Sequence, residues 1–218
     1  MEKNVVIYCK NTQDYHSFPK GTSLLEIHKT LDIRLNYQVV AARVNYKVED
    51  LNFLVYKPKD IEFIDTGSSS GMRVYVRTLS IVLSKAVADL YPHSVIRIEH
   101  PISKGYYCQI ENVEETVTPE IIEAIKSRMQ EIIDHAEPII LEERQTEKVK
   151  ELFRNGANNT SKDALFDSLG EPYLRYYRIG NFIDYYTSIL LPSTAYLDFF
   201  DLIPYYDGML LQVPNREN

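Results

Sequence analysis

The chain has 218 residues, of which 44% are hydrophobic and 25% are charged, and its formal net charge at pH 7 is −7. These values are ordinary for a soluble globular protein, and no apolar run reaches the roughly 18 residues that a membrane-spanning helix needs. The acidic balance also argues against a surface that neutralises many phosphates, as nucleic-acid binding usually requires. Composition therefore predicts one or two globular domains, no membrane partner and no strong bias towards RNA or DNA.

The first part of the chain predicts a small fold of five strands and one helix. Apolar side chains in strand-like patterns predict strands at residues 5–8, 15–18, 39–44, 46–48 and 61–64. Ser23 followed by Glu26 forms a capping box, and an apolar helical stripe runs from Leu24 to Leu31. The order strand, strand, helix, three strands describes a β-grasp, or ubiquitin-like, fold.

The segment from Asp65 to Gly71 predicts a linker, because its small polar residues and two glycines offer little surface to bury. We place the domain boundary there, so that residues 1–66 form the first domain and residues 72–218 the second. The net charge lies wholly in the second part, since the first 67 residues carry equal numbers of basic and acidic side chains.

The second segment predicts a larger α+β domain. Helical stripes and capping signals predict four helices, at 73–90, from the Thr118-Pro119 start to Pro138, at 143–154, and from a cap at Ser161 to Gly170. Strand patterns are found at 95–98, 105–110, 139–141 and in the aromatic tail at 173–213.

The only two cysteines, Cys9 and Cys108, are about a hundred residues apart and fit neither a disulfide framework nor a metal-ligand spacing. The N-terminus lacks the apolar stretch of a secretion signal. We therefore expect a reducing, cytoplasmic location. None of the five histidines lies three or four residues from another, so the sequence contains no histidine metal motif.

Several stretches resemble the N-terminal half of threonyl-tRNA synthetase. In the first domain, FPKGTSLLEI at 18–27 and ARVNYKVEDL at 42–51 resemble the TGS domain, a β-grasp module. In the second domain, the stretches that resemble the synthetase editing domain are RTLSIVLSKAV at 77–87, YPH at 91–93, KGYYCQI at 104–110, the helix at 118–133 and GNFIDYY through PST at 180–194. The resemblance covers nearly the whole chain and implies a β-grasp domain followed by an editing-like α+β domain.

The residues of the family's editing site are replaced in this sequence. The resemblance places the histidines of the family's H-x-x-x-H motif at Thr78 and Val82, and the cysteine and histidine of its C-x-x-x-H motif at Tyr186 and Leu190. Valine and leucine cannot move a proton, and threonine or a tyrosine of pKa near 10 is a poor general base at neutral pH. We therefore expect no catalytic residue and no bound metal.

We expect the four replaced positions, with two further residues from the matching segments, to form a vestigial editing cleft. This cleft is a candidate ligand site. Its members are Thr78, Val82, Tyr107, Asp184, Tyr186 and Leu190.

A synthetase-like front end without its editing residues resembles the N-terminal part of a bacterial nucleoside (uridine) kinase family, in which a P-loop phosphotransferase domain follows. The present residues contain no G-x-x-x-x-G-K-[ST] motif. ATP and Mg²⁺ would thus belong only to the downstream kinase domain, which would be the module's partner in the same polypeptide. This first hypothesis describes a non-enzymatic regulatory or ligand-binding module.

Two other functions are compatible with the same residues. The chain could be a tRNA- or RNA-binding module related to threonyl-tRNA synthetase but without editing activity. It could also be an editing hydrolase with a rearranged site, in which case substitution of Thr78 or Tyr186 should abolish its activity.

Overall fold

A computed structural model describes residues 3–92, 94–102, 105–111, 117–156 and 162–214. The chain divides into two compact units. The β-grasp unit comprises Met1–Arg77 and Ser188–Pro192, and the larger unit comprises Thr78–Thr187 and Ser193–Asn218. Within the described residues, no helix has both the length and the apolar character needed to cross a membrane.

The β-grasp unit has one helix and two sheets. Its elements are β1 (Asn4–Cys9), β2 (Asp14–Pro19), β3 (Thr22–Ser23), α1 (Leu24–Leu31), β4 (Val39–Val44), β5 (Lys47–Glu49), β6 (Leu54–Val55) and β7 (Lys59–Asp65). The main sheet has the order β2-β1-β7-β4-β5, with β1 and β7 parallel at its centre and the other neighbours antiparallel. This is the strand order of a β-grasp fold, so the predicted fold of the first part is confirmed.

Local sequence explains how this unit is built. Alternation along β1 buries Val5, Ile7 and Cys9 and leaves Val6 about half exposed. The predicted capping box is confirmed, because the Ser23 hydroxyl accepts from the Glu26 N–H at 3.2 Å and the Glu26 carboxylate accepts from the Ser23 N–H at 2.9 Å. Helix α1 therefore begins where the sequence predicts.

The segment predicted as a linker forms a hydrogen-bonded turn and the start of the long helix α2 (Ser69–Leu90). The Ser68 hydroxyl donates to the Asp65 carbonyl at 2.9 Å and accepts from the Gly71 N–H at 3.0 Å. A Cβ at Gly71 would lie 1.9 Å from the Asp65 carbonyl oxygen, so only glycine fits this turn. Small residues are present because the backbone approaches itself closely. The predicted domain boundary stays a prediction, and the division into compact units falls between Arg77 and Thr78.

The larger unit has an α+β architecture, as the sequence predicts. After α2 its elements are β8 (Val95–Ile102), β9 (Gly105–Glu111), α3 (Pro119–Asp134), β10 (Ile140–Gln145), α4 (Thr146–Asn155), α5 (Asp163–Leu169), β11 (Tyr173–Ile179), β12 (Phe182–Asp184), a 3-10 helix (Thr194–Tyr196), β13 (Asp201–Tyr205) and β14 (Gly208–Gln212). The described strands form a sheet of order β13-β14-β9-β8 and a sheet of order β10-β11-β12.

The boundary between β10 and α4 differs from the prediction. The sequence favoured a helix from Glu143, but β10 continues to Gln145 and pairs with β11 along its whole length. Glu143 is held by Arg175 of β11 at 3.0 Å, a contact that local periodicity does not contain. The predicted cap Ser161 lies outside the described residues, whereas the predicted end of α5 at Gly170 is confirmed by its left-handed φ of 64°.

One face of the sheet β10-β11-β12 packs against α4 and α5. The buried cluster that joins them consists of Val149, Phe153, Phe166, Leu174, Tyr176 and Ile183. The rings of Phe153 and Phe166 meet edge to face with centroids 5.3 Å apart, a favourable aromatic geometry. This cluster fixes the strands that carry Tyr176, Asp184 and the residues that follow β12.

Candidate functional site

Two residues of the predicted cleft, Asp184 and Tyr186, lie together at the end of β12. The Tyr186 phenol is hydrogen-bonded with the Ser84 side chain of α2. Burial raises the pKa of Tyr186 far above its ordinary value of 10, and the negative charge of Asp184 raises it further, whereas the hydrogen bond with Ser84 offsets part of the increase. At neutral pH Tyr186 is therefore a protonated hydrogen-bonding group.

The Asp184 carboxylate is engaged by its neighbours. The ammonium group of Lys162 forms an ion pair with Asp184 Oδ1, and the backbone N–H of Tyr185 donates to the same oxygen at 2.7 Å. Lys162 Nζ also lies 5.5 Å from the centroid of the Phe153 ring, where the face of the ring attracts a cation. The Asp184 side chain is 13% exposed, so Lys162 and the Tyr185 N–H engage one oxygen of a largely buried carboxylate.

Thr78 and Val82 are fully buried on α2, but on another side of the helix from Ser84. Thr78 and Val82 are four residues apart and share one side of the helix. Ser84 follows Val82 by two residues and Thr78 by six, which at about 100° per residue turns it away from both. The residues that share the Ser84 side, at spacings of three and four, are Ser80, Ile81, Val87 and Ala88. The contact of Tyr186 with α2 thus lies on a side that Thr78 and Val82 do not occupy.

Tyr107 belongs to a different cluster, on the four-stranded sheet. Its phenol donates to the Asp207 carboxylate and accepts from Gln109 Nε2 at 2.9 Å. Its ring lies 6.0 Å from that of Tyr205 and 6.1 Å from that of His100, both measured between centroids. The hydrogen bond to Asp207 is the main cause that raises the pKa of Tyr107.

Leu190 is buried, with 1% of its surface exposed, and it belongs to the stretch Ser188–Pro192 that clusters with the β-grasp unit. Its membership of the cleft therefore stays a prediction, as does that of Thr78, Val82 and Tyr107. Asp184 and Tyr186 lie close together at the end of β12, where the Asp184 charge acts on the Tyr186 phenol.

Sequence reasoning missed two neighbours of this pair, Ser84 and Lys162. Ser84 has no nucleophile motif around it, and about a hundred residues separate it from Tyr186. The ion pair of Lys162 with Asp184 spans 22 positions and crosses from the start of α5 to β12. No local spacing in the sequence signals either contact.

The described residues contain no group of three or more histidine, cysteine, aspartate or glutamate side chains that could hold a metal ion. Both cysteines are buried, and burial raises the pKa of the Cys108 thiol to about 12. At neutral pH this thiol is therefore protonated and a weak nucleophile.

No family model matches the chain. It is similar to curated threonine–tRNA ligases from several bacteria. It is 29% identical to that of Syntrophomonas wolfei over 83% of this chain, 30% to that of Rubrobacter xylanophilus over 84%, and 31% to that of Syntrophotalea carbinolica over 85%. The chain spans only 28 to 29% of the length of these relatives. It therefore contains a threonyl-tRNA synthetase-like region that corresponds to a part of those enzymes.

Proposed function

We propose that this chain is a non-catalytic module, derived from the front part of a threonyl-tRNA synthetase, that binds a ligand and regulates an attached enzyme. The observation that carries the proposal is the protonated, buried Tyr186 phenol beside a lysine-paired Asp184. The protonated phenol is not a general base at neutral pH, and the carboxylate is engaged by a cation. The similarity to threonine–tRNA ligases over more than 80% of the chain supports the proposed origin.

In this proposal the β-grasp unit is a TGS domain and residues 72–218 are a degenerate editing domain. Asp184 and Tyr186, with Ser84 and Lys162, are the part of the former cleft that now offers hydrogen bonds and charge to a ligand. The two buried, free cysteines are compatible with a reducing cytoplasm, which is the location we propose.

The proposed parent is a nucleoside (uridine) kinase. Its P-loop domain would bind ATP and Mg²⁺ and transfer phosphate, and it would be the partner of this module within one polypeptide. A proofreading region whose proton-accepting positions hold Tyr186 and Leu190 no longer serves aminoacylation fidelity, so a different catalytic partner fits the residues better.

The full-length gene product tests this parent directly. We expect a G-x-x-x-x-G-K-[ST] motif downstream of residue 218 and ATP-dependent phosphorylation of uridine by the full-length protein. A downstream aminoacylation domain, with ATP consumed in the presence of threonine and no phosphate transferred to uridine, would contradict the kinase parent.

A tRNA-binding function is favoured by one observation, the threonine–tRNA ligase names of the relatives. The net charge of −7 opposes it, because tRNA binding through phosphates requires basic surface and weakens steeply with salt. Gel-shift titration with tRNA at two salt concentrations separates the hypotheses. Micromolar binding that falls with added salt would favour the RNA-binding function over the regulatory module.

A further inference from the structure

The larger unit contains an open groove of about 550 Å³ between α4 and the sheet β10-β11-β12. The volume is within the range of small-molecule sites, which is about 300–1,000 Å³. Its floor includes Glu142 and Arg144 of β10 and Tyr176 and Arg178 of β11. Residues of the groove come from the exposed side of α4 as well as from the sheet, so it has two fixed walls.

Glu142 organises the floor. One of its oxygens accepts from the Tyr176 phenol at 2.5 Å, and the other accepts from Arg178 Nε at 2.6 Å. Arg144 Nη2 lies 3.4 Å from the carboxylate. The Tyr176 hydrogen bond is the largest of the causes that lower the pKa of Glu142, and Arg178 and Arg144 lower it further. An ionised carboxylate therefore holds two guanidinium groups at one end of the groove.

These guanidinium groups have donors to spare. Arginine carries five N–H donors, and in the described part of the chain Arg178 uses two, for Glu142 and for the Gly180 carbonyl at 3.3 Å. Arg144 makes one long contact, at 3.4 Å, and its side chain is 54% exposed. The remaining N–H groups can bind an anion in the groove.

The charge of the lining also favours an anion. Three cationic side chains, from Arg144, Lys148 and Arg178, line the groove with two carboxylates, from Glu142 and Glu151. The local excess is one positive charge, in the part of the chain that carries the whole net charge of −7. The groove is therefore locally positive, although the part of the chain that contains it is negatively charged overall.

The rest of the lining suits a small polar organic molecule. Asn155 and Asn181 contribute carboxamides, and no hydrogen bond joins these side chains to other described residues. Leu152 and Ile183 add apolar surface beside them. A ligand with an anionic group and a hydroxylated organic part would match the arginines at one end of the groove and the asparagines and apolar residues elsewhere in it.

We propose that this groove binds a small phosphate monoester, with its phosphate on Arg178 and Arg144 and its organic part along Asn155, Leu152 and Ile183. A phosphate monoester offers three acceptor oxygens and up to two negative charges near neutral pH, so it can engage both arginines. Lys148, which pairs with Glu151 at 3.2 Å, adds positive charge nearby. A carboxylate ligand offers only two acceptor oxygens and one negative charge, so it would make fewer of these contacts.

Titration of the complete 218-residue chain, followed by backbone amide NMR shifts at constant ionic strength, tests the site. The probes are ribose 5-phosphate, inorganic phosphate and succinate. We expect saturable shifts around Arg178 and Asn181 with ribose 5-phosphate, and binding at least about tenfold weaker in Arg178→Gln and Arg144→Gln, because each loses charge-assisted hydrogen bonds.

Arg175→Gln is the matched control. Arg175 lies on the other face of the same strand, where it pairs with Glu143 at 3.0 Å and is 68% exposed. Its substitution removes the same charge and should change the affinity by less than about twofold. Circular dichroism checks that each variant folds. If Arg178→Gln unfolds, Arg144→Gln decides, because its single long contact makes little difference to the fold.

Each alternative result overturns a stated part of the proposal. Equal affinity for inorganic phosphate and ribose 5-phosphate would mean that the groove binds a free anion and not an ester. Equal affinity for succinate would remove the preference for phosphate. An absence of saturable shifts, or an equal loss in Arg175→Gln, would overturn the site itself.

Discussion

At the scale of single residues, burial of the Tyr186 phenol couples its protonation to folding. Because its pKa is raised in the folded state, the unfolded chain releases this proton first as the pH increases. The stabilisation is fully present below the unfolded pKa of about 10 and is lost as the pH rises above it, by about 1.4 kcal/mol per pH unit. Burial also raises the pKa of Tyr176, to about 12, so this tyrosine makes stability fall with rising pH in the same way.

Tyr186→Phe should therefore flatten the alkaline loss of stability. Above pH 10 we expect the free energy of unfolding of the variant to fall less steeply than that of the wild type, by about 1.4 kcal/mol per pH unit. Urea unfolding between pH 8 and 11 measures this slope. Tyr206→Phe, at a side chain that is 90% exposed, is the control. Identical slopes for wild type and Tyr186→Phe would show that the phenol is not buried.

Glu142 makes stability depend on pH in the opposite direction, because its contacts lower its pKa below the ordinary value of 4.5. Its contribution to stability is present above that value and is lost as the pH falls through the lowered pKa. We expect Glu142→Gln to cost about 1–3 kcal/mol at pH 7, since Tyr176 and Arg178 lose a charged partner, and much less at pH 3.

Chemical denaturation at both pH values measures this change. Glu143→Gln is the control, because Glu143 is 55% exposed and pairs with Arg175 on the other face of the sheet. A cost for Glu142→Gln that does not depend on pH would contradict the assignment of the lowered pKa.

At the scale of elements, the turn that leads into α2 depends on one glycine. A Cβ at Gly71 would clash with the Asp65 carbonyl at 1.9 Å, so we expect Gly71→Ala to lose about 1–3 kcal/mol through backbone displacement. Gly170→Ala is a useful comparison, because its Cβ would meet no atom within 4 Å and only the left-handed φ of 64° costs energy. Thermal unfolding, monitored by circular dichroism, measures this loss. A melting temperature of Gly71→Ala equal to that of the wild type would contradict the account.

The elements that the sequence predicts best are those with complete local signals. The capping box at Ser23 and the Thr118-Pro119 start of α3 are both observed, with the Thr118 hydroxyl accepting from the Ile121 N–H at 3.4 Å. Two-residue strands such as β3 and β6 carry no periodicity, so nothing in the sequence indicates them. The neighbouring Tyr176 and Tyr177 point to opposite faces of β11, and both are buried.

The candidate site was harder to predict than the fold. Asp184 and Tyr186 are two positions apart in the sequence and lie together, but their partners Ser84 and Lys162 reach them only through tertiary packing. The positions Thr78 and Val82 came from residue-by-residue matching along a helix. A displacement of one or two residues in such matching turns a side chain to another side of the helix, since each residue advances by about 100°.

At the scale of the whole molecule, fold and activity separate. The chain is similar to threonine–tRNA ligases over more than 80% of its length, yet it spans less than a third of theirs. The proposed regulatory role therefore depends on the residues of the predicted cleft. Similarity of fold alone does not assign an activity.

The central claim is the proposal that this chain does not hydrolyse an aminoacyl ester. The most direct measurement is the rate at which the chain releases serine from serine-charged threonine tRNA at neutral pH. We expect a rate equal to that of the buffer alone, because Tyr186 keeps its proton and Asp184 is paired with Lys162. A rate above the buffer control that is abolished in folded Tyr186→Phe but retained in Tyr206→Phe would contradict the account.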